Sequence, residues 1–148
     1  MTTEKSRAPN EAEIRALIED QVKSVRAKNV DGLLSNYTPD VLVFDLINPL
    51  RYTGLPALKK RVQEWFSQFQ GAIGYEARDV NITAGDDVAF CHSLNHVSGT
   101  TIEDNKIDMW WRATLCFSKI DDKWMVTHAH NSEPFDMNSG QASVDLKP

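Results

Sequence analysis

Several absences narrow the sequence before any feature is weighed. It holds no run of about 18 apolar residues, so it offers no helix able to span a bilayer. Cysteines are few: Cys91 and Cys116 are the only two, and without CxxC spacing they form neither a metal knuckle nor a redox motif. Each sits in an apolar, strand-like stretch and reads as a buried, reduced thiol acting as a small hydrophobe. Basic excess is missing too. The net charge is −5, whereas a general nucleic-acid binder needs a basic face to release counterions from phosphates. Met1 to Asn10 carries Lys5 and Arg7 but no apolar segment, so it does not read as a secretory signal. Repeats, linkers and low-complexity blocks are also absent. The expectation is a soluble, cytoplasmic protein that binds neither nucleic acid nor membrane.

What is present suits one globular domain. The 148 residues are 41% hydrophobic and 25% charged, and a chain of this length buries roughly 68–70% of its unfolded surface. Residues 1–10 read as a flexible N-terminus. Asn10 offers an N-cap with Glu13 three residues on, as in a capping box. Ile14, Leu17, Ile18, Val22 and Val25 follow at helical spacing. Asn29 to Gly32 breaks this helix, and a short one through Leu33, Leu34 and Tyr37 ends at Thr38-Pro39. Val41 to Asp45 reads as a strand, and Asn48-Pro49 and Gly54 punctuate a loop. Pro56 then fits the first turn of a third helix carrying Leu58, Val62, Trp65, Phe66 and Phe69, which Gly71 to Gly74 ends.

From there the period changes. Tyr75–Thr83, Asp87–Ser98, Ile107–Lys119 and Lys123–Ser132 are strand-like, with turn residues between them. Three helices followed by four consecutive strands, without βαβ alternation, indicate an α+β fold with a meandering antiparallel sheet. Such a sheet twists and coils, giving a cone-like half-barrel with helices across its mouth. The domain is bounded at residues 11–134, with residues 135–148 as a polar tail.

Asp45 is the leading candidate for chemistry. It interrupts an apolar strand just before a proline-containing loop, and a carboxylate is rarely buried without a partner. Either it faces a pocket, or it caps the loop or pairs with Arg51. Gln21 lies on the apolar stripe of the first helix, where it donates to a ligand or satisfies a backbone group. Period two places His128 and His130 on one face with Trp124, Val126 and Ser132, and a bulge would reverse that facing. His92 and His96 share a face of another strand. The spacing of the four histidines does not suit a metal site, and no metal or other cofactor is expected. Arg112, beside Trp110 and Trp111, binds an anionic group or pairs across an interface. Tyr52, Trp65, Phe66, Phe69 and Trp111 are aromatic enough for a core, and some of them would wall a pocket for a small apolar or aromatic ligand.

The stretches DVLVFDLINPLRYTG (Asp40–Gly54), WRATLCFSK (Trp111–Lys119) and DDKWMVTHAHNSEP (Asp121–Pro134), in this order of elements, resemble the nuclear-transport-factor-2-like superfamily. Within it they look most like SnoaL-like and ketosteroid-isomerase-like proteins. The resemblance implies a cystatin-like cone and a homodimer formed through the outer sheet face. It also implies Asp45 as a general base, placed where that family carries its aspartate. His130 would be an acid–base partner, as in dehydratases of the superfamily, with Gln21, Tyr52, Trp65, His92, Trp111, Arg112 and His128 around the ligand. Two departures stand against ketosteroid isomerisation. Gln21 takes the place of the tyrosine donor, and Ala113 or Thr114 that of the protonated aspartate. The family includes isomerases, cyclases and dehydratases as well as non-catalytic binding and assembly domains, so fold alone does not choose among them.

Overall fold

Ile14, Ile18 and Val25 lie along one stripe of α1 (Glu4–Arg26), and all three are buried. The computed structural model describes residues 4–148. After α1 come α2 (Val30–Leu34), β1 (Tyr37–Phe44), β2 (Tyr52–Thr53), α3 (Leu55–Ser67), β3 (Phe69–Ala84), β4 (Val88–Thr101), β5 (Lys106–Ile120) and β6 (Lys123–Ser132). The α+β class, with helices packed on a curved sheet, is as the sequence predicts.

Several boundaries differ from the sequence reading, each for a local reason. Of the flexible segment expected over residues 1–10, residues 4–10 are helical, and residues 1–3 lie outside the described residues. Asn10 is not a cap. Its buried amide donates to the Gly85 carbonyl at 3.0 Å and accepts from Lys119 Nζ at 3.3 Å. Asn29 is the cap, accepting from the Gly32 N–H, so the NVDG segment opens α2 as well as ending α1. Pro39 lies inside β1 and ends no helix. The β1–β6 register slips between Tyr37 and Leu42, and a residue with no N–H is tolerated at such an interruption. Gly71 and Gly74 fall within β3. Beyond β6 the polar tail closes into a turn: Phe135 bridges to Ala142, and the Asp136 carboxylate accepts from the Asn138 and Ser139 N–H groups.

The sheet order is β2-β1-β6-β5-β4-β3. All neighbours are antiparallel except β1 and β6, which run parallel. Extra residues in β3 (between Gln70 and Gly74, and between Arg78 and Asn81) and in β6 bend the strands, which is how a sheet gains curvature. The core between sheet and helices forms two apolar clusters. In one, Ile14 and Ile18 of α1 pack with Ala84, Ala89, Phe117, Trp124 and Val126 of the sheet. In the other, Val25 of α1, Leu33 of α2 and Leu58, Val62 and Phe66 of α3 pack with Phe69 and Trp111. Gly99 belongs to this second cluster because a Cβ there would lie 2.9 Å from the Phe69 ring. The second cluster does not close completely, and the site lies in the gap.

Candidate functional site

Period two along β1 places Val41 and Val43 on the inner face, both buried, and Asp45, the residue just past the strand's end, falls on the same side. Asp45 therefore reaches a cavity of about 190 Å³ between the sheet and the three helices. This exceeds the roughly 150 Å³ cavity known to accept benzene, so one or two rings fit. Trp65 and Trp111 form flat walls, their rings edge-to-face at 6.4 Å, with Tyr75 against both. Val43, Leu58, Val62, Met109 and Leu115 supply aliphatic surface.

Polar groups gather at two places on this wall. At the first, Asp45 Oδ1 accepts from the Leu46 N–H at 2.7 Å, while Oδ2 accepts from Arg61 Nε at 3.1 Å and from the Tyr52 hydroxyl at 3.4 Å. The ion pair with Arg61 replaces the expected alternative with Arg51. At the second, Ser93 Oγ donates to Asn95 Oδ1 at 2.7 Å, and Asn95 Nδ2 donates to the Tyr75 hydroxyl at 2.8 Å. Gln21 also lines the cavity, and its Nε2 is buried without a hydrogen-bond partner.

All three tyrosines of the chain line this cavity, and each phenol is held above its ordinary range. Burial is the main cause throughout. At Tyr52 the Asp45 charge adds to it and Arg61 opposes it, and at Tyr75 the Asn95 hydrogen bond opposes it. The phenols thus stay protonated donors at neutral pH. Cys91, also on the wall, is pushed up to about 11 by burial and is a poor nucleophile there.

Of the residues singled out from sequence, Asp45, Gln21, Tyr52, Trp65 and Trp111 come together around the cavity. His130, His128, His92 and Arg112 do not, and their expected place beside the ligand is corrected. In β6 Phe117 pairs with Val126 but Cys116 pairs with His128, so Thr127 is an extra residue. That bulge shifts the alternation. Trp124 and Val126 face inward before it, Ala129 and Asn131 after it, and both histidines turn outward. There the His128 ring packs edge-on against Phe44 at 4.7 Å, with Nδ1 donating to the Leu42 carbonyl at 2.7 Å. His130 also packs edge-on against Phe44, at 5.4 Å, with its ring 6.2 Å from that of His128.

His92 and Arg112 alternate with inner neighbours Cys91, Ser93, Trp111 and Ala113, and so face out. Arg112 donates to Ser132. His96 lies on this outer face between Asp108 and Glu76, stacked on Trp110 at 4.5 Å. Among the described residues, no three His, Cys, Asp or Glu side chains converge as metal ligands. No helix there is long and apolar enough to cross a membrane.

Sequence reasoning missed Arg61, Tyr75, Ser93 and Asn95. Arg61 could have been found: it stands between Leu58 and Val62 on the stripe that α3 turns inward. Ser93 and Asn95 share the period of Cys91 and Val97, so a polar pair on an otherwise buried face was also visible.

A SnoaL-like domain model matches residues 14–136. No curated protein is a significant match. Among solved structures, an NTF2-like protein of unknown function from Pseudomonas putida is 30% identical, with a TM-score of 0.88 over 100% of both chains. A scytalone dehydratase candidate from Novosphingobium aromaticivorans is 12% identical, with a TM-score of 0.80 over 98% of this chain and 100% of that one. A ketosteroid isomerase-like protein from Erwinia carotovora is 17% identical, with a TM-score of 0.70 over 82% and 94%. The last two show a shared fold.

Proposed function

The chain belongs to the SnoaL-like domain family, within the NTF2-like superfamily, and from that premise we propose that its cavity binds a small ring-bearing molecule on which Asp45 acts as a base. The observation carrying this reading is the Asp45 carboxylate on the wall of an otherwise largely apolar cavity. A carboxylate offers about four acceptor positions. Leu46, Arg61 and Tyr52 occupy three, which leaves one on Oδ1 for a substrate proton. Held this way, the carboxylate is oriented before the ligand arrives, and orientation is a large part of what positioned catalytic groups supply.

The chemistry that fits is removal of a proton from carbon next to a carbonyl, a step common to isomerisation, cyclisation and dehydration. Trp65 and Trp111 would hold the ring, and Gln21 would donate to the ligand. The resemblance puts Gln21, and Ala113 or Thr114, in place of the family's usual enolate donors; Gln21 and Ala113 line the cavity, and none of the three is a phenol or a carboxylic acid. Steroid isomerisation by that route is therefore not the proposal. A homodimer through the outer sheet face belongs to the same reading, motivated by exposed Phe90 there. Sedimentation equilibrium tests it, and a monomer at micromolar concentration would refute it.

Exchange of the α-protons of 2-tetralone in D2O, followed by NMR, tests the base. Wild type should accelerate exchange over buffer, and Asp45→Asn should return it to the buffer rate. A second reading, binding without catalysis, is favoured by the ion pair, since Arg61 already neutralises Asp45. Saturable 2-tetralone binding with exchange at the buffer rate would establish that reading instead.

A further inference from the structure

We propose that the cavity selects ligands carrying an acceptor oxygen, a ketone, quinone or similar group, and that Tyr75 is the residue that selects it, with Asn95 and Ser93 as positioning residues. The inference rests on the reading of the cavity as a small-molecule site and adds the ligand's polarity to it. Its basis is the direction of the hydrogen bonds. Ser93 Oγ donates to Asn95 Oδ1, which leaves Asn95 Nδ2 to donate to Tyr75. The Tyr75 hydroxyl therefore accepts a bond, and among the described residues it makes none of its own. Burial keeps that phenol protonated, so one O–H donor remains to be satisfied. Bonds arranged head to tail polarise one another, which makes the last donor of this chain a stronger one.

A second, independent observation points the same way. Among the described residues of the cavity wall, the buried side-chain polar atom without a partner is Gln21 Nε2, again a donor. A buried donor left unpaired costs about 1–3 kcal/mol, so this wall favours an occupant that accepts. The principal acceptor, Asp45, already takes three donors. Two donors on this wall, the Tyr75 hydroxyl and Gln21 Nε2, thus await an acceptor, and a ligand carrying oxygen lone pairs satisfies them.

The test compares 2-tetralone with tetralin, which has the same two rings and no oxygen, by quenching of Trp65 and Trp111 fluorescence. Wild type should bind both, with 2-tetralone about tenfold tighter. Tyr75→Phe should bind tetralin as before and lose most of that preference. The infrared carbonyl stretch of bound 2-tetralone should lie lower in wild type than in Tyr75→Phe. In Asn95→Leu, with the phenol present but no longer polarised, it should fall between them, a shift that a merely structural role for Asn95 would not produce. Equal affinity for the two compounds in wild type, or a carbonyl stretch unchanged by Tyr75→Phe, overturns the inference while the cavity reading stands. Failure of both compounds to bind overturns the cavity reading and this inference with it.

Discussion

Replacing Arg61 by leucine isolates the ion pair that holds the Asp45 carboxylate. Arg61 Nε lies 3.1 Å from Asp45 Oδ2, and the two side chains are 24% and 14% exposed. At that separation and an effective dielectric of about 20, the raw attraction is about 5 kcal/mol. Removing both groups from water offsets much of it, because the desolvation of each ion is itself several kcal/mol. The pair sits between two measured classes. Exposed pairs contribute about 0–1 kcal/mol, and breaking a fully buried one costs about 3–5 kcal/mol.

An Asp45–Arg61 coupling of about 1.5–3 kcal/mol is therefore expected from a double-mutant cycle. The cycle uses wild type, Arg61→Leu, Asp45→Asn and the double variant, each followed by urea unfolding at pH 7. Asymmetry is expected as well. Arg61→Leu should cost more than Asp45→Asn, because it strands the less exposed charge, whereas Arg61 can turn toward water. Additivity of the two substitutions within about 0.3–0.5 kcal/mol would refute the reasoning and reduce the contact to a surface pair.

Two further outcomes follow from the same packing. Burial raises the phenols of Tyr37, Tyr52 and Tyr75 and pushes Cys91 up to about 11. Their neutral forms stabilise the fold fully below the unfolded-state values, near 9 for the thiol and about 10 for the phenols. Stability should thus fall as pH rises from there, with phenolate absorbance at 295 nm appearing only together with unfolding; a reversible titration near pH 10 in the folded protein would contradict this. Gly99→Ala places a Cβ 2.9 Å from the Phe69 ring and should lower stability by about 1–3 kcal/mol, as overpacking does. An unchanged urea midpoint would show that the ring moves aside without cost.

Much of this protein can be read along the chain, because the relevant forces are local. The apolar stripes of α1 and α3, the alternation in β4 and β5, and the turn residues between strands all express one residue's relation to the next few. Asp45 was legible for the same reason, as an acid in an apolar strand beside a loop. Trp65 and Trp111 could be expected at a pocket because large rings on inward positions have few other places to go.

What needed the tertiary structure was everything set by pairing between distant segments. One extra residue, Thr127, turns His128 and His130 to the outer face, and a bulge is a property of two strands in register, not of one strand's pattern. Arg61 meets Asp45 only because α3 lies over β1. Asn95 meets Tyr75 only because β3 and β4 pair in the register that sets them near one another. The parallel contact of β1 with β6 joins segments about 85 residues apart, and no local preference encodes it. The sequence by itself determined most of the elements and, outside β6, which of their faces are apolar. Tertiary structure decided which polar groups share the cavity, because hydrogen bonds and ion pairs act over about 3 Å and that proximity exists only once the sheet has closed.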